Sequence, residues 1–250
     1  MKNPQYFFLL GGYDLEMLEI KKILDSKGEL YLDKNLQWGA KLSHYQDDLD
    51  RTDIQYVGIE LIEDIVPPKN YLAIDHHNER SHEPASIEQL AKLLNIQLNR
   101  YQQLVAANDK GYIPAMQEMG ATDIEIQQVR RADRHAQGVT PEMEIQAKKD
   151  LGNRKAKKGV ILIKTQLTKF SPIVDRINAK RLLVYNEETL CYYGQHAQDL
   201  SKLYPDLIKE QKSYSGGGKD GFWGIASGFF NSTEIDDLVK KIVQFVNGKI

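Results

Sequence analysis

Pro67-Pro68-Lys69-Asn70-Tyr71-Leu72-Ala73-Ile74-Asp75-His76-His77-Asn78 is the stretch whose reading sets the architecture. The proline pair marks a turn, Tyr71 to Ile74 suits a short strand, and the strand ends on an acid and two adjacent imidazoles. Downstream, Ser86 with Gln89 predicts a capping box that opens a helix running to about Asn95. Upstream, the same order appears. Tyr6 to Leu10 is an apolar run closed by Gly11-Gly12 and Asp14, followed by helical spacing from Leu15 to Leu24 with Gly28 as a stop. Glu29 to Leu32 predicts a second strand, Trp38 to Tyr45 a helix, and Gln55 to Ile62 a third strand. Strands alternating with helices predict an α/β domain with a mostly parallel sheet flanked by helices. Such sheets receive ligands beyond the carboxyl ends of their strands.

From about Asn99 to Leu151 the pattern turns helical, with Thr140 before Pro141 reading as a helix start. Residues 152–159, Gly-Asn-Arg-Lys-Ala-Lys-Lys-Gly, read as a solvated linker; no aromatic side chains interleave the charges as a nucleic-acid patch would have them. Beyond it, Val160 to Ile163, Arg181 to Tyr185 and Leu190 to Tyr193 predict strands, and Glu234 to Val246 a closing amphipathic helix. The expected organisation is therefore a first domain over 1–151 and a smaller α+β domain over 160–250.

The composition bounds the class. A chain of 250 residues can bury a sizeable core, and 33 Lys and Arg against 35 Asp and Glu leave a formal charge of −2, which argues against a coat on long nucleic acid. No uncharged run approaches the roughly 20 residues of a membrane span. The first residues lack a secretory cleavage pattern, and the single Cys191 fits a reducing compartment, so a cytoplasmic location and no membrane partner are expected. Cys191 lies in an apolar strand pattern and reads as a core thiol rather than a nucleophile.

Asp14 and Glu16, Glu60, Asp75-His76-His77, and Asp109 fall at strand ends or in the segments that follow them. Carboxylates with imidazoles are a ligand set for Mn²⁺, Mg²⁺ or Zn²⁺, and one carboxyl edge of a sheet can gather them. Singly, each has a plainer reading: an acid at a strand end caps a helix, and a lone histidine satisfies a core. The tandem histidines are sharper, because one ring can face a metal while the other faces substrate and Asp75 fixes a tautomer.

The run Ala73-Ile74-Asp75-His76-His77-Asn78 resembles the name-giving motif of the DHH phosphoesterase superfamily, which includes RecJ-type exonucleases, oligoribonuclease/phosphoadenosine phosphatases and family II inorganic pyrophosphatases. In order along the chain, Phe8 to Glu16 resembles the first motif, Gly58-Ile59-Glu60 the second, Ala106 to Gly111 the fourth, and Tyr214 to Gly221 the glycine-rich loop of a DHHA1 domain. The resemblance implies metals, Mn²⁺ or Mg²⁺, held by Asp14, Glu16, Glu60, His76 and Asp109. It implies catalysis assisted by His77 and Asp75, and substrate contacts from Gly216, Gly217, Gly218 and Lys219. The implied substrate is a small phosphorylated compound, a phosphodiester or a short oligonucleotide, lying between the two domains.

Two departures stand out. The family's first histidine falls on Leu10, and Glu16 and Glu60 replace aspartates, each adding a methylene. Either catalysis survives with altered geometry, or the chain is a nucleotide- or phosphate-binding regulatory module with a degenerate metal site. Other features carry two readings. Gly11-Gly12 reads as a tight strand-exit turn, since no Walker or GxGxxG pattern accompanies it. Phe222-Trp223 suits base stacking or core anchoring. Arg130 and Arg134, on one helix face by spacing, suit phosphate contact or, as the favoured reading, a solvated face.

Overall fold

The computed structural model describes residues 5–37, 39–216 and 220–248, the side chain of Asn78 excepted. The chain divides into two compact units, Met1–Gly138 and Val139–Ile250.

The first unit runs β1 (Tyr6–Leu10), α1 (Leu15–Lys27), β2 (Leu30–Leu32), β3 (Gln55–Ile59), β4 (Tyr71–Ile74), α2 (Ser86–Leu93), α3 (Arg100–Glu118) and α4 (Asp123–Ala136). Its sheet has the order β2-β1-β3-β4 with every pairing parallel. Parallel strands covered on both faces need apolar side chains on both, and β1 supplies them. Phe8 and Leu10 join Val57, Ile59 and Ile74 beneath Met17, Ile20 and Leu24 of α1 and Ile87 and Leu90 of α2. Leu9 turns the other way, into a cluster with Leu42, Tyr45 and Tyr56.

Several local expectations are revised. The helix expected over Trp38 to Tyr45 is a 3₁₀ helix over Leu42–Asp48, and Trp38 lies outside the described residues. The third strand stops at Ile59 because Glu60 takes a positive φ of 54°, turning the chain out of the sheet. The cap on α2 belongs to Ala85 and Glu88, not to Ser86 and Gln89: the Ala85 N–H donates to Glu88 Oε2 at 3.0 Å. Gln89 instead donates to the carbonyls of Asp75 and Pro84, tying α2 to the residues after β4.

The second unit runs α5 (Pro141–Gly152), β5 (Lys155–Lys157), β6 (Val160–Lys164), α6 (Ser171–Val174), β7 (Arg181–Tyr185), β8 (Leu190–Gly194), α7 (Ala197–Leu203), α8 (Pro205–Lys209), β9 (Ser213–Gly216), β10 (Phe222–Ile225) and α9 (Ser232–Asn247). Its sheet, β5-β6-β7-β8-β10-β9, is antiparallel except between β6 and β7. The protein is thus α/β with a smaller α+β unit.

The segment 152–159, expected as a solvated linker, contains a strand. Lys155–Lys157 forms an exposed edge strand against β6, where alternating lysines suit an unpaired sheet edge. The boundary moves to 138/139 because α5 belongs to the second core: Ala147, Met143 and Leu151 pack with Ile163, Phe170 and Ile173. Cys191 is buried in that core, and burial pushes its thiol up to about 12. Trp223 is fully buried and stacks on Tyr204 at 5.2 Å, which removes it from base stacking. No helix among the described residues is long and apolar enough to cross a membrane.

Candidate metal centre

Asp14, Glu16 and Glu60 are each placed by an element that the sequence specifies locally. Asp14 is the N-cap of α1, its Oδ1 accepting the Met17 N–H at 2.8 Å. Glu16, in the first turn of α1 and 1% exposed, accepts the Ile87 N–H on Oε1 at 3.0 Å, so one oxygen is used by the start of α2. Glu60 follows β3, with its N–H bound to the Ile74 carbonyl at 2.8 Å. That bond holds the ends of β3 and β4 together. Gly11 lies against them: a Cβ there would sit 2.4 Å from the carbonyl oxygens of Ile59 and Glu60, so the close approach requires glycine.

These elements bring four atoms to one point. His76 Nε2 lies 2.6 Å from Asp109 Oδ2, 3.4 Å from Glu16 Oε2 and 3.6 Å from Glu60 Oε1. The four residues offer ligand atoms that all lie within 4.8 Å of one another. All four atoms are buried, and none completes a hydrogen bond. Gathering three buried carboxylate oxygens is costly, and three of them around one imidazole nitrogen can serve as the donor set of a cation. The residues present fit a divalent metal. Oxygen-rich ligation with one nitrogen suits Mn²⁺ or Mg²⁺ chemistry, the imidazole favouring the former.

The electrostatics agree. Burial disfavours charge on His76, but the carboxylates of Asp109, Glu16 and Glu60 outweigh it and push the ring up to about 12. Burial drives Glu16 well above the carboxylate range. Glu60 is held below it, where contact with His76 overcomes burial. Burial first, then Glu60 and Asp109, raise Asp14 to about 8. A metal must therefore displace the proton on His76 and the one that burial favours on Glu16, so affinity should rise with pH by at least about tenfold per unit. Calorimetric Mn²⁺ titrations across pH measure that slope; a flat profile contradicts it.

The remaining sequence candidates fall in several places. Asp14 is near this group but outside it, its carboxylate engaged as the α1 cap. Glu60, His76 and His77 form a second, overlapping set of possible ligands. Asp75 Oδ1 meets the His77 N–H at 3.0 Å and its Nδ1 at 2.9 Å, which fixes the ring and leaves Nε2 for another partner. That bond holds Asp75 below the carboxylate range against the effect of burial, and raises His77. The two rings lie 4.3 Å apart. Leu10 is 1% exposed in the core, and its carbonyl accepts the Tyr45 hydroxyl at 2.6 Å. Gly216 ends β9, while Gly217, Gly218 and Lys219 lie outside the described residues.

Arg130 and Arg134 do not form a solvated face. Both are 5% exposed, and Arg130 reaches Asn108, 22 residues away. Helical spacing along α4 alone could not show this. In the second unit, a cavity of about 670 Å³ has Lys149, Asp150, Lys164 and Asn186 among its lining residues. Its buried polar groups are satisfied, Asp150 by Thr165 and Gln146, and Asn186 by Leu167, Glu188 and Thr189.

No protein-family model matches the sequence, and no curated protein matches it. Solved structures do. The pGpG-specific phosphodiesterase PggH of Vibrio cholerae aligns over 98% of this chain and 99% of its own, at TM-score 0.51 and 9% identity. The DHH domain of a member of a family of ribosomal proteins aligns over 97% of this chain and 87% of its own, at TM-score 0.50 and 10% identity. The chain shares the fold of these two structures. RecJ of Thermus thermophilus, solved in complex with Mn²⁺, aligns over 98% of this chain and 52% of its own, at TM-score 0.47 and 9% identity. In this fold the tandem histidines follow β4, Glu16 follows β1 and Glu60 follows β3, at the carboxyl edge of the parallel sheet, and α3 brings Asp109 to them.

Proposed function

We propose that the protein is a metal-dependent phosphoesterase that hydrolyses a small phosphodiester or short oligonucleotide. One observation carries the reading: four buried potential ligand atoms from Glu16, Glu60, His76 and Asp109, none in a completed hydrogen bond, converge at the carboxyl edge of the sheet. Support for the reaction class comes from PggH, a pGpG-specific phosphodiesterase of the same fold and nearly the same extent.

Glu16, Glu60, His76 and Asp109 would hold one Mn²⁺ or Mg²⁺. When bound, the ion supplies Lewis-acid charge and acidifies water at neutral pH. His77 then binds and orients the phosphoryl group through Nε2, since Asp75 engages the Nδ1 side of its ring. Asp75 also favours the cationic ring, which suits an anionic oxygen. Asp14 caps α1 and holds a proton close to the acids. Leu10, where the family resemblance places a histidine, offers no ligand atom, so one ion should bind more tightly than any second.

The test is hydrolysis of dinucleotides, short oligomers, phosphoadenosine phosphate and pyrophosphate with Mn²⁺ and with chelator. Turnover in the Mn²⁺ arm alone supports the reading. Tight Mn²⁺ binding without turnover of any compound favours the second reading, a binding module, which the loss of a ligand at Leu10 recommends. Substrate recognition is assigned to the glycine-rich segment Gly216 to Lys219 of the second unit. Lys219→Ala should raise KM about tenfold, the size of a lost charged hydrogen bond, and leave Mn²⁺ affinity unchanged. Unchanged KM would remove the segment from recognition.

A further inference from the structure

Asp109 differs from the other three ligands in where it stands. Glu16, Glu60 and His76 sit in the first turn of α1 or just after strands of the sheet, whereas Asp109 lies within α3, two residues before the helix breaks. At Gly111 the backbone leaves helical geometry, and Tyr112 takes φ 61° and ψ −149°. A tyrosine in that region is strained and persists only where its surroundings hold it.

Among its surroundings is one buried side chain. Arg130 of α4 donates through Nη1 to Asn108 Oδ1 at 2.9 Å and to Asp133 Oδ2 at 2.5 Å. Its guanidinium carbon lies 4.0 Å from the centre of the Tyr112 ring. The same planar group thus grips the residue before Asp109 and covers the strained residue three positions after it. A guanidinium can bind in its plane and stack on its face at once, which an ammonium cannot. On the other flank, Lys110 Nζ donates to the Glu83 carbonyl and, at 3.4 Å, to that of Ser81, in the segment after the tandem histidines. Arg130, Asn108 and Asp133 are 5%, 7% and 6% exposed, a costly burial for groups that only decorate a helix.

We propose that Arg130 is a positioning residue for the metal centre: by clamping Asn108 and Tyr112 it fixes the bend that aims Asp109 Oδ2 at His76 Nε2. This rests on the reading of Glu16, Glu60, His76 and Asp109 as a metal site. Partners that orient a ligand without touching the ion typically set metal affinity by about 10- to 100-fold.

The experiment compares Mn²⁺ affinity, by calorimetry, with the thermal midpoint of the metal-free protein, for wild type, Arg130→Lys and Asn108→Ala. Asn108→Ala removes the ligand-side end of the clamp and keeps the Arg130–Asp133 pair, so it remains informative if Arg130→Lys fails to fold. Arg130→Lys keeps the charge beside Asp133 but loses the fork and the stacked plane. Both variants are expected to bind Mn²⁺ about tenfold or more weakly, with an altered Mn²⁺ electron paramagnetic resonance spectrum, while Asn108→Ala remains folded with a modestly lowered midpoint. A purely structural role would lower the midpoints and leave affinity and spectrum unmoved. Wild-type affinity in folded Asn108→Ala overturns the proposal. No Mn²⁺ binding by wild type fells the metal-centre reading itself, and the positioning role with it.

Discussion

Adding Mn²⁺ is expected to raise the thermal midpoint of the wild-type protein, and Glu16→Gln, His76→Ala and Asp109→Ala are each expected to abolish that rise. An ion that binds only the folded state stabilises it by about 2.7 kcal/mol at a hundred times its Kd. The variants should lose more than about 100-fold in Mn²⁺ affinity, beyond the loss typical of residues that merely orient a ligand. Mn²⁺-dependent hydrolysis should fall to background in all three. Glu16→Gln is the sharpest of them. Its amide oxygen can still accept the Ile87 N–H that Glu16 Oε1 accepts at 3.0 Å, while the side chain can no longer offer a carboxylate to an ion. Burial already favours the neutral form of Glu16 in the metal-free protein, so the neutral amide should leave the midpoint at or above wild type. A cluster that exists to hold the core together behaves in the opposite way. Collapse of all three variants without metal, or a wild-type midpoint indifferent to millimolar Mn²⁺, would make it an ion network of the core.

Gly11→Val is expected to be the most damaging substitution in the first unit outside the ligands. Its Cβ would stand 2.4 Å from the Ile59 and Glu60 carbonyl oxygens and 2.9 Å from the Glu60 carbonyl carbon, all main-chain atoms. No rotamer change relieves a clash with backbone. Either β1 and β3 separate at their carboxyl ends, or Glu60 swings away from His76. Forcing groups into a packed interior typically costs about 1–3 kcal/mol, and here the obstruction is worse than usual because neither wall can rotate. Chemical denaturation should show a loss of about 3 kcal/mol or more, and any folded fraction should bind Mn²⁺ poorly. Wild-type stability with wild-type affinity would mean that the two chain segments are not in contact as described.

The sheet and three of the four converging side chains are legible in the sequence because their signals are local. An apolar run, a turn residue and an acid in sequence mark a strand end, and Asp75-His76-His77 places its chemistry in adjacent positions. Asp109 was reachable by its order along the chain, though it sits within a helix. What stayed hidden depends on distant partners. Arg130 and Asn108 are 22 residues apart, and spacing along α4 pointed to solvent. Gly11 read as a turn because nothing near it announces the Glu60 backbone. Asp14 reads alike as ligand and cap, and in the structure its Oδ1 is taken by the Met17 amide. The basic run before β6 looked like a linker since an edge strand with alternating lysines carries no apolar signal.

Glu16 has two employers. One oxygen belongs to the scaffold, through the Ile87 amide at the start of α2, and the other, in the metal centre proposed above, would belong to the ion. The seating of α2 on the sheet and the grip on the cation are therefore not separate traits that mutation can tune one at a time. A change in how Ile87 and Leu90 pack shifts the amide, the amide shifts the carboxylate, and the ion feels the difference. Core residues of α2 are thus subject to a chemical constraint as well as a steric one, although none of them comes near the reaction.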